Sequence, residues 1–247
     1  MSKKTKTNKI IVIGGSDPSG GAGIRADLHT LEQMGLMASS VITAVTAQNE
    51  KKFFSYETVS ANIFSDQLHA INTQSKNPFV KIGMIGHHTL IPPLITWIKK
   101  VKPYFVILDP VLRSSTGTCL LDHKGIQLLP QLFPFIDLLT PNIPEAEMLT
   151  GIKIRNVKDM QEAGGKFLRK AVKQVLMKGG HLRGNPCDIL MNTEMDYFFE
   201  SKRIQARNIH GTGCTLASAI LGYLSLGKDR VESIRLGRKI VRKKIQN

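Results

Sequence analysis

Residues 9–27 read KIIVIGGSDPSGGAGIRAD, and this stretch decides the fold class. Its first five residues, KIIVI, form a short apolar run that is typical of a strand buried on both faces. A glycine-rich loop follows, and Ile24, Leu28 and Leu31 then recur at helical spacing. A buried strand that passes through a loop into an amphipathic helix is the repeating unit of an α/β protein.

The same alternation continues along the chain. Further strand candidates are SVITAVTA (40–47), VKIGMI (80–85), YFVILD (104–109), DLLT (137–140), QVLMK (174–178) and DILMN (188–192). Apolar helical faces are predicted at Ile63, Phe64, Leu68 and Ile71; at Met160, Phe167, Leu168 and Ala171; at Leu216, Ile220, Tyr223 and Leu224; and at Val231, Ile234, Val241 and Ile245. DILMN and DYFFE, separated by Thr193-Glu194-Met195, predict an antiparallel hairpin at a sheet edge. We therefore expect an α/β fold with a central, mostly parallel β-sheet and helices on both faces.

Composition sets the outer limits on domain organisation and location. The sequence has 247 residues, 42% hydrophobic and 21% charged, which is enough for a sizeable core. No internal repeat or linker interrupts it, so we expect one domain at residues 9–247 after a basic extension at residues 1–8. No apolar segment resembles a secretory signal or approaches the roughly 20 residues of a membrane span. The cysteines at positions 119, 187 and 214 are odd in number and lack CxxC spacing, which favours reduced thiols in a cytoplasmic protein.

The net charge of +15 requires its own interpretation. It arises from 34 Lys and Arg against 19 Asp and Glu, and the excess lies in KKTKTNK at the start and RLGRKIVRKKIQN at the end. Such a protein can bind nucleic acid, a membrane surface or phosphorylated metabolites. No zinc-finger, RNP or helix-turn-helix signature accompanies the charge, so we interpret both ends as solvated surface and expect no nucleic-acid partner.

The turn Gly211-Thr212-Gly213-Cys214 stands directly before one of the helical patterns. The first N–H groups of a helix lack internal partners, and the helix dipole adds positive charge there. Two glycines let successive amides converge, which predicts a cup for the phosphate in transfer. The same field is expected to lower the pKa of Cys214 and to make it a base or nucleophile. The alternative interpretation is a glycine-rich helix cap with a small buried cysteine.

The glycine-rich loop after the first strand fits neither of two familiar phosphate-binding motifs. In a P-loop a lysine must stand where this chain has Gly21. A GxGxxA pattern occurs at Gly21, Gly23 and Ala26, but it begins eight residues after the strand, too late for the tight turn of a dinucleotide site.

Polar residues follow three further strand candidates. Asn142 and Glu145 lie on the turn into a helix and can hold hydrated Mg²⁺, although an acid in a first helical turn also compensates the dipole. Lys178 ends QVLMK, from where its ammonium can reach a phosphate. Asp109 ends YFVILD and can order Mg²⁺ waters or Lys178; a structural ion pair and a capped turn are the alternatives. Phosphoryl transfer needs a cup of amides for the phosphate, a cation, a carboxylate and a pair of metal ligands, and these residues can supply all four.

These motifs also carry a resemblance to a known family. GGSDPSGGAGIRAD, AVTAQN, VKIGMIG, LDPV, TPNIPEAE, VLMKGGH and HGTGCTLASAI occur in the order seen in hydroxymethylpyrimidine/phosphomethylpyrimidine kinases of thiamine biosynthesis. The chain resembles that family from about residue 9 to residue 246. The resemblance implies a ribokinase-like fold, a homodimer, and use of ATP and Mg²⁺. It further implies phosphorylation of 4-amino-5-hydroxymethyl-2-methylpyrimidine and then of its monophosphate.

The resemblance assigns roles to individual residues. The anion hole matches Gly211, Thr212, Gly213 and Cys214, with Cys214 at the position proposed as catalytic base. Asn142 and Glu145 match the Mg²⁺–phosphate element, Lys178 the phosphate-facing lysine, and Asp109 the acid after the central strand. The pyrimidine pocket matches Gly14, Ala22, Asp27, Thr46, Gln48, Met84 and Val111. The amide of Gln48 can donate and accept at once, as an aminopyrimidine requires, whereas related pyridoxal kinases tend to have an apolar residue there.

The sequence departs from the family pattern at three places, one of which is its unusually basic C-terminal tail. Ser115 stands where relatives commonly have a lysine, and relatives usually continue past the last helix into a GxGxGPV segment where this sequence reads IQN. Two alternatives to a pyrimidine kinase stay open. A pyridoxal-type kinase of the same fold is disfavoured by Gln48, and a degenerate relative that binds nucleic acid is disfavoured by the intact GTGC turn and Lys178.

Overall fold

The computed structural model of the protein describes residues 9–49, 52–71, 77–114, 116–204 and 210–246. Within these ranges the chain forms nine strands and eight α-helices. The strands are β1 (Ile10–Ser16), β2 (Ala38–Gln48), β3 (Phe53–Thr58), β4 (Phe79–Ile82), β5 (Phe105–Leu108), β6 (Leu138–Leu139), β7 (Val175–Met177), β8 (Cys187–Met191) and β9 (Asp196–Glu200). The helices are α1 (Gly23–Gln33), α2 (Ala61–Ile71), α3 (Ile91–Val101), α4 (His123–Leu128), α5 (Ile143–Thr150), α6 (Val157–Arg169), α7 (Thr212–Ser225) and α8 (Arg230–Gln246).

All nine strands belong to one sheet, in the order β3-β2-β1-β4-β5-β6-β7-β8-β9. The run from β2 to β7 is parallel, while β3 at one edge and β8 and β9 at the other are antiparallel. The predicted mostly parallel sheet and the predicted β8–β9 edge hairpin are therefore confirmed.

Strand β1 shows why the parallel strands read as continuous apolar runs. Ile11 and Ile13 pack on one face of the sheet with helices α2 to α6, whereas Ile10 and Val12 pack on the other face with α1, α7 and α8. Both faces are buried, so neither set of alternate positions tolerates a polar residue. The expectation of helices on both faces is confirmed.

Three details of the sequence prediction are wrong. Strand β3 was not predicted, because it lies at an edge, exposes Phe54 and alternates apolar with polar residues instead of forming an apolar run. Ile63 was placed on the apolar face of α2, yet its side chain is 53% exposed. Ala171 was placed on a helical face, but it lies beyond the end of α6 with φ +67°.

The sheet order decides where a site can form. Strand β1 has β2 on one side and β4 on the other, so the chain reverses its direction of winding at β1. In open α/β sheets a crevice opens at the carboxyl ends of the strands beside such a reversal. The loops after β1, β4, β5, β6 and β7 all meet at this edge, which brings distant parts of the sequence together. Among the helices of the described ranges, none is long and apolar enough to span a membrane.

Candidate active site

A cavity of about 750 Å³ lies at the carboxyl edge of the parallel strands. Every residue predicted for the site lines it, although these residues come from seven separate stretches of sequence. They are Gly14, Ala22, Asp27, Thr46, Gln48, Met84, Asp109, Val111, Asn142, Glu145, Lys178, Gly211, Thr212, Gly213 and Cys214. The structure thus brings the predicted residues together, and their individual roles stay predictions.

The GTG turn forms the N-terminus of helix α7, as predicted. Gly211 is the N-cap with φ +71°, a left-handed conformation that favours glycine. A Cβ atom at Gly211 would overlap the carbonyl oxygen of Gly21, so glycine is also required by the close approach of the β1 loop. At Gly213 a Cβ atom would lie 3.4 Å from Asp109 Oδ2 and 3.4 Å from Lys178 Nζ. The turn therefore faces these two charged side chains directly.

The side chain of Cys214 is buried within the first turn of α7. Burial raises the pKa of the thiol to about 11, because a thiolate there would lose its hydration. The ammonium of Lys81 and a hydrogen bond from the Gly23 amide act in the opposite direction, while Asp27 and Asp109 add to the increase. The expectation of a lowered pKa is therefore wrong for this structure, and Cys214 is a neutral thiol near pH 7.

Asp109 and Lys178 form a buried ion pair at the end of the central strands. Lys178 Nζ lies 2.7 Å from Asp109 Oδ1, which also accepts a hydrogen bond from Thr140 Oγ1 at 3.1 Å. Burial raises the pKa of Asp109, but the ammonium groups of Lys178 and Lys81 outweigh burial and hold that pKa below its usual value. Burial likewise lowers the pKa of Lys178, and Asp109 and Glu145 outweigh it. Both members of the pair are therefore charged.

Asn142 and Glu145 form a capping box at the start of helix α5. The Asn142 amide donates to Glu145 Oε2 at 2.8 Å, and the Glu145 amide donates to Asn142 Oδ1 at 2.9 Å. Burial raises the pKa of Glu145 to about 7, with Lys178 opposing and Asp109 reinforcing the increase. The alternative considered for Glu145 was compensation of the helix dipole from the first turn, and Glu145 stands in that turn while also closing the capping box.

The donor chemistry of this pair still fits Mg²⁺. An amide oxygen and a carboxylate are hard ligands, and Mg²⁺ sites commonly use one or two carboxylates together with substrate phosphates. Within the described ranges, the cluster of potential metal-binding side chains is His87, His88 and Asp122, and it does not line this cavity. A magnesium ion in the cavity would therefore depend mainly on Asn142, Glu145 and the phosphates themselves.

Asp27 and Lys81 form a second buried ion pair beneath the substrate end of the cavity. Lys81 Nζ lies 2.8 Å from Asp27 Oδ2, and Ser218 Oγ donates to Asp27 Oδ1 at 2.8 Å. Burial raises the pKa of Asp27 against the effect of Lys81. Lys81 was missed from the sequence, although a lysine inside the apolar strand β4 is a signal that a buried acid lies opposite it.

Gln48 and Thr46 lie at the same end, on strand β2. Gln48 Nε2 donates to Thr46 Oγ1 at 2.9 Å, and Thr46 Oγ1 donates to the Ser16 carbonyl at 2.8 Å. This chain of hydrogen bonds fixes the orientation of the Gln48 amide. Beside it, Phe53 and Met84 belong to a small apolar cluster suited to a flat ring. Phe53 was missed from the sequence because strand β3 was missed.

Asp17 and His210 join the β1 loop to the GTG turn, and neither was predicted. His210 Nε2 lies 2.9 Å from Asp17 Oδ2, which also accepts from the Ala22 amide at 2.8 Å. The other oxygen, Asp17 Oδ1, accepts from the amide and hydroxyl of Ser19. The pair orders the loop that carries the predicted pocket residue Ala22, and the sequence signal was the histidine directly before GTGC.

The cavity also has a basic wall, which we define as Arg203, Arg238 and Arg242. It lies on the β8 side of the sheet, since Arg238 contacts Asp188 of β8, whereas Gln48 lies on β2 toward the other edge. Arg238 Nε lies 2.8 Å from Asp188 Oδ2, and Arg242 donates to the Lys202 carbonyl at 3.0 Å. The interpretation of the C-terminal charge as solvated surface is therefore wrong for Arg238 and Arg242, because helix α8 turns them toward the sheet. It holds for Lys239 and Lys243, which are exposed.

Comparison with known proteins identifies the family. The model of the phosphomethylpyrimidine kinase family matches residues 17–247. The hydroxymethylpyrimidine/phosphomethylpyrimidine kinase of Aquifex aeolicus is 36% identical over 237 residues, 95% of this chain and 93% of that protein. The counterpart from Escherichia coli is 36% identical over 213 residues, 85% of this chain and 80% of that protein.

Two solved structures show the same fold. The phosphomethylpyrimidine kinase from Clostridium difficile is 40% identical, with a TM-score of 0.84 over 96% of this chain and 99% of that chain. The pyridoxal kinase from Staphylococcus aureus, solved with AMP-PCP, is 26% identical, with a TM-score of 0.88 over 97% of this chain and 88% of that chain. The fold is thus shared by both kinds of kinase, while the family model and the two curated relatives are those of phosphomethylpyrimidine kinases. The chain belongs to the phosphomethylpyrimidine kinase family and has its ribokinase-like fold.

Proposed function

We propose that the protein transfers the terminal phosphoryl group of ATP to the hydroxymethyl oxygen of 4-amino-5-hydroxymethyl-2-methylpyrimidine, and then to the resulting monophosphate. The observation that supports this most is the position of the Asp109–Lys178 pair. It faces Gly213 at the middle of a cavity that has an apolar, amide-bearing end at Gln48 and a basic wall at the other end. Ring and nucleotide can therefore occupy opposite ends with the transfer point between them.

The ring end supports an aminopyrimidine substrate. The held amide of Gln48 offers a donor and an acceptor, which match the 4-amino group and the neighbouring ring nitrogen. Phe53 and Met84 provide apolar surface for the ring faces. In a largely buried pocket such matched polar contacts discriminate strongly, because an unmatched group is left without a partner.

The transfer itself needs little covalent help from the protein. Charge spreads over the phosphoryl oxygens in the transition state, so positioning and charge neutralisation supply most of the catalysis. The amides at the start of α7 and the ammonium of Lys178 lie where that charge develops. When bound, Mg²⁺ supplies further neutralisation of the phosphate oxygens, and Asn142 and Glu145 are the residues that would hold it.

Cys214 is the proposed acceptor of the hydroxyl proton. The bond between the hydroxyl oxygen and phosphorus forms, the bond to the ADP oxygen breaks, and the substrate proton passes to Cys214 Sγ. With a thiol pKa of about 11, this route is open only to the small fraction of molecules that carry a thiolate near neutral pH. Positive charge close to Cys214 therefore matters directly for the rate.

An ADP-release assay tests the proposed function. We expect turnover with the hydroxymethylpyrimidine and with its monophosphate, and much weaker turnover with pyridoxal. The second candidate, a pyridoxal kinase, is favoured by the structural similarity to the Staphylococcus aureus enzyme. Turnover with pyridoxal alone would support that candidate and overturn the first.

Three further features belong to this proposal. We expect residues 9–247 to act as one kinase domain, to form a homodimer and to work in the cytoplasm. Sedimentation of the purified protein tests the dimer, since a monomer at micromolar concentration would contradict it.

A further inference from the structure

Lys244, near the end of helix α8, makes two contacts inside the fold. Its Nζ donates to the Gly21 carbonyl at 3.0 Å and to Thr215 Oγ1 at 3.1 Å. Gly21 belongs to the loop after β1, and Thr215 follows Cys214 in the first turn of α7. One ammonium group therefore joins three elements that are far apart in the sequence.

The Gly21 carbonyl lies at a crowded point of the site. The same oxygen occupies the space that a Cβ atom of Gly211 would need, and a Cβ atom at Gly21 would overlap the ring of His210. Two residues after Gly21, the Gly23 amide approaches Cys214 and acts to lower the pKa of its thiol. The position of this loop therefore determines both the packing of the GTG turn and the polar surroundings of the sulfur.

Lys244 also differs from the other lysines near Cys214 in the partners of its ammonium group. The ionisable groups that face the thiol are Asp27 on α1, Lys81 on β4, Asp109 after β5, Lys178 after β7 and Lys244 on α8. Lys81 and Lys178 each form an ion pair with one of the two acids. Lys244 donates only to neutral oxygens among the hydrogen bonds and ion pairs of the described ranges, so it is not paired directly with a carboxylate. Burial lowers the pKa of Lys244, while the carboxylates of Asp27 and Asp17 act in the opposite direction.

We propose that Lys244 is a positioning residue for phosphoryl transfer, which holds the Gly21 loop against the GTG turn and supplies a positive charge beside Cys214 that is not held in a direct ion pair. The inference rests on the proposed function and adds to it, because it makes helix α8 part of the region around the transfer point. A positive charge favours the thiolate over the thiol, and the held loop keeps the Gly23 amide beside the sulfur.

The first test needs no substrate, so its result is separate from that of the proposed function. Alkylation of Cys214 by iodoacetamide is followed against pH by mass spectrometry of its peptide, in a Cys119→Ser background that removes the exposed thiol. We expect Lys244→Met to shift the alkylation profile toward higher pH and to slow the reaction roughly tenfold near neutral pH. Lys244→Arg should retain most of the original profile, because the charge and a donor remain.

The matched control is Lys243→Met, which removes an exposed charge from the same turn of α8. It should leave the alkylation profile and turnover unchanged. Lys244→Gln provides a second variant, since it keeps a hydrogen-bond donor but lacks the charge; it should shift the profile in the same direction as Lys244→Met.

Steady-state kinetics give the second readout. For Lys244→Met we expect kcat to fall roughly tenfold while the KM for ATP changes little, and we expect Lys244→Arg to restore kcat. The inference is overturned if folded Lys244→Met and Lys244→Gln show the alkylation profile of Lys243→Met. It is also overturned if Lys244→Met raises both KM values and lowers Tm with an unchanged profile, since a purely structural residue would act in that way.

Discussion

The ammonium of Lys178 lies 2.7 Å from the carboxylate of Asp109, at the point where the GTG turn approaches the ends of the central strands. This ion pair unites two residues that are 69 positions apart in the sequence. It places one positive and one negative group within the part of the cavity where phosphate charge would change. Replacing either partner affects both stability and transfer, and the two effects can be measured separately.

Lys178→Met should damage both stability and turnover. The variant leaves the buried Asp109 carboxylate without its partner, which costs about 3–5 kcal/mol of unfolding free energy. Lys173→Met is the matched control, because Lys173 pairs with Asp137 at 2.7 Å but is 65% exposed. An exposed pair contributes only about 0–1 kcal/mol, so the control should unfold almost like the wild type. Urea unfolding and ADP release measure the two effects, and equal losses in both variants would contradict a special role for Lys178.

Gln48→Met should change the choice of substrate. The aminopyrimidine loses its matched donor and acceptor, so kcat/KM for the pyrimidine should fall by roughly 10²-fold or more. The KM for ATP should stay within about twofold, because Gln48 lies at the ring end of the cavity and does not contact the basic wall. A variant that phosphorylates the pyrimidine at the normal rate would show that another residue recognises the ring.

The architecture was largely predictable from the sequence, because strands buried on both faces are mostly apolar, and a buried charge such as Lys81 in β4 needs a partner. β1 and the parallel strands that follow it were found for this reason. Strand β3 was not predicted, since an edge strand with one exposed face shows no continuous apolar run. Phe53, which lies on β3, was missed for the same reason.

Individual charges in the site were harder to predict than its location. The positions of Asp109, Lys178 and the GTG turn follow from strand ends, which meet at one edge of a parallel sheet. The direction of the Cys214 pKa was wrong because burial, which the local motif does not reveal, outweighs the position at a helix N-terminus. The inward orientation of Arg238 and Lys244 depends on how α8 packs, and a basic helix carries no sign of that in its composition.

Glu145 should make the stability of the protein depend on pH. Its pKa is raised to about 7 in the folded protein from 4.5 in the unfolded chain, so the folded protein binds more protons than the unfolded chain between these values. Stability should therefore fall as the pH rises from about 4.5 to about 7, and Glu145→Gln should remove this decrease while preserving the capping box. Thermal unfolding across this pH range is the measurement. If the stability of the wild type instead rose with pH relative to that of Glu145→Gln, the folded protein would favour the charged form of Glu145, which contradicts the prediction.

Cys214→Ala should separate the thiol from the backbone of the GTG turn. If Cys214 accepts the proton, kcat should fall by roughly 10²–10⁴-fold while ATP binding survives. The wild-type rate should increase with pH through the neutral range, since the thiolate fraction increases toward a pKa of about 11, and the variant should lose that increase. A variant with nearly normal kcat and the same pH profile would identify Cys214 as a buried helix-cap residue only.

Gly211→Ala should disrupt the contact between the GTG turn and the β1 loop. Gly227 is the matched control, because both glycines have a left-handed φ, +71° at Gly211 and +85° at Gly227, but only at Gly211 would a Cβ atom meet another group. Gly227→Ala should therefore cost about 1–2 kcal/mol of stability through backbone strain and leave kcat unchanged. Gly211→Ala adds an overlap with the Gly21 carbonyl, so the loop or the turn must move and the amides of α7 lose their alignment. We expect a larger loss of stability together with a loss of kcat, measured by urea unfolding and ADP release on the same samples. Equal behaviour of the two variants would show that the close approach of Gly21 to the turn is not needed for the reaction.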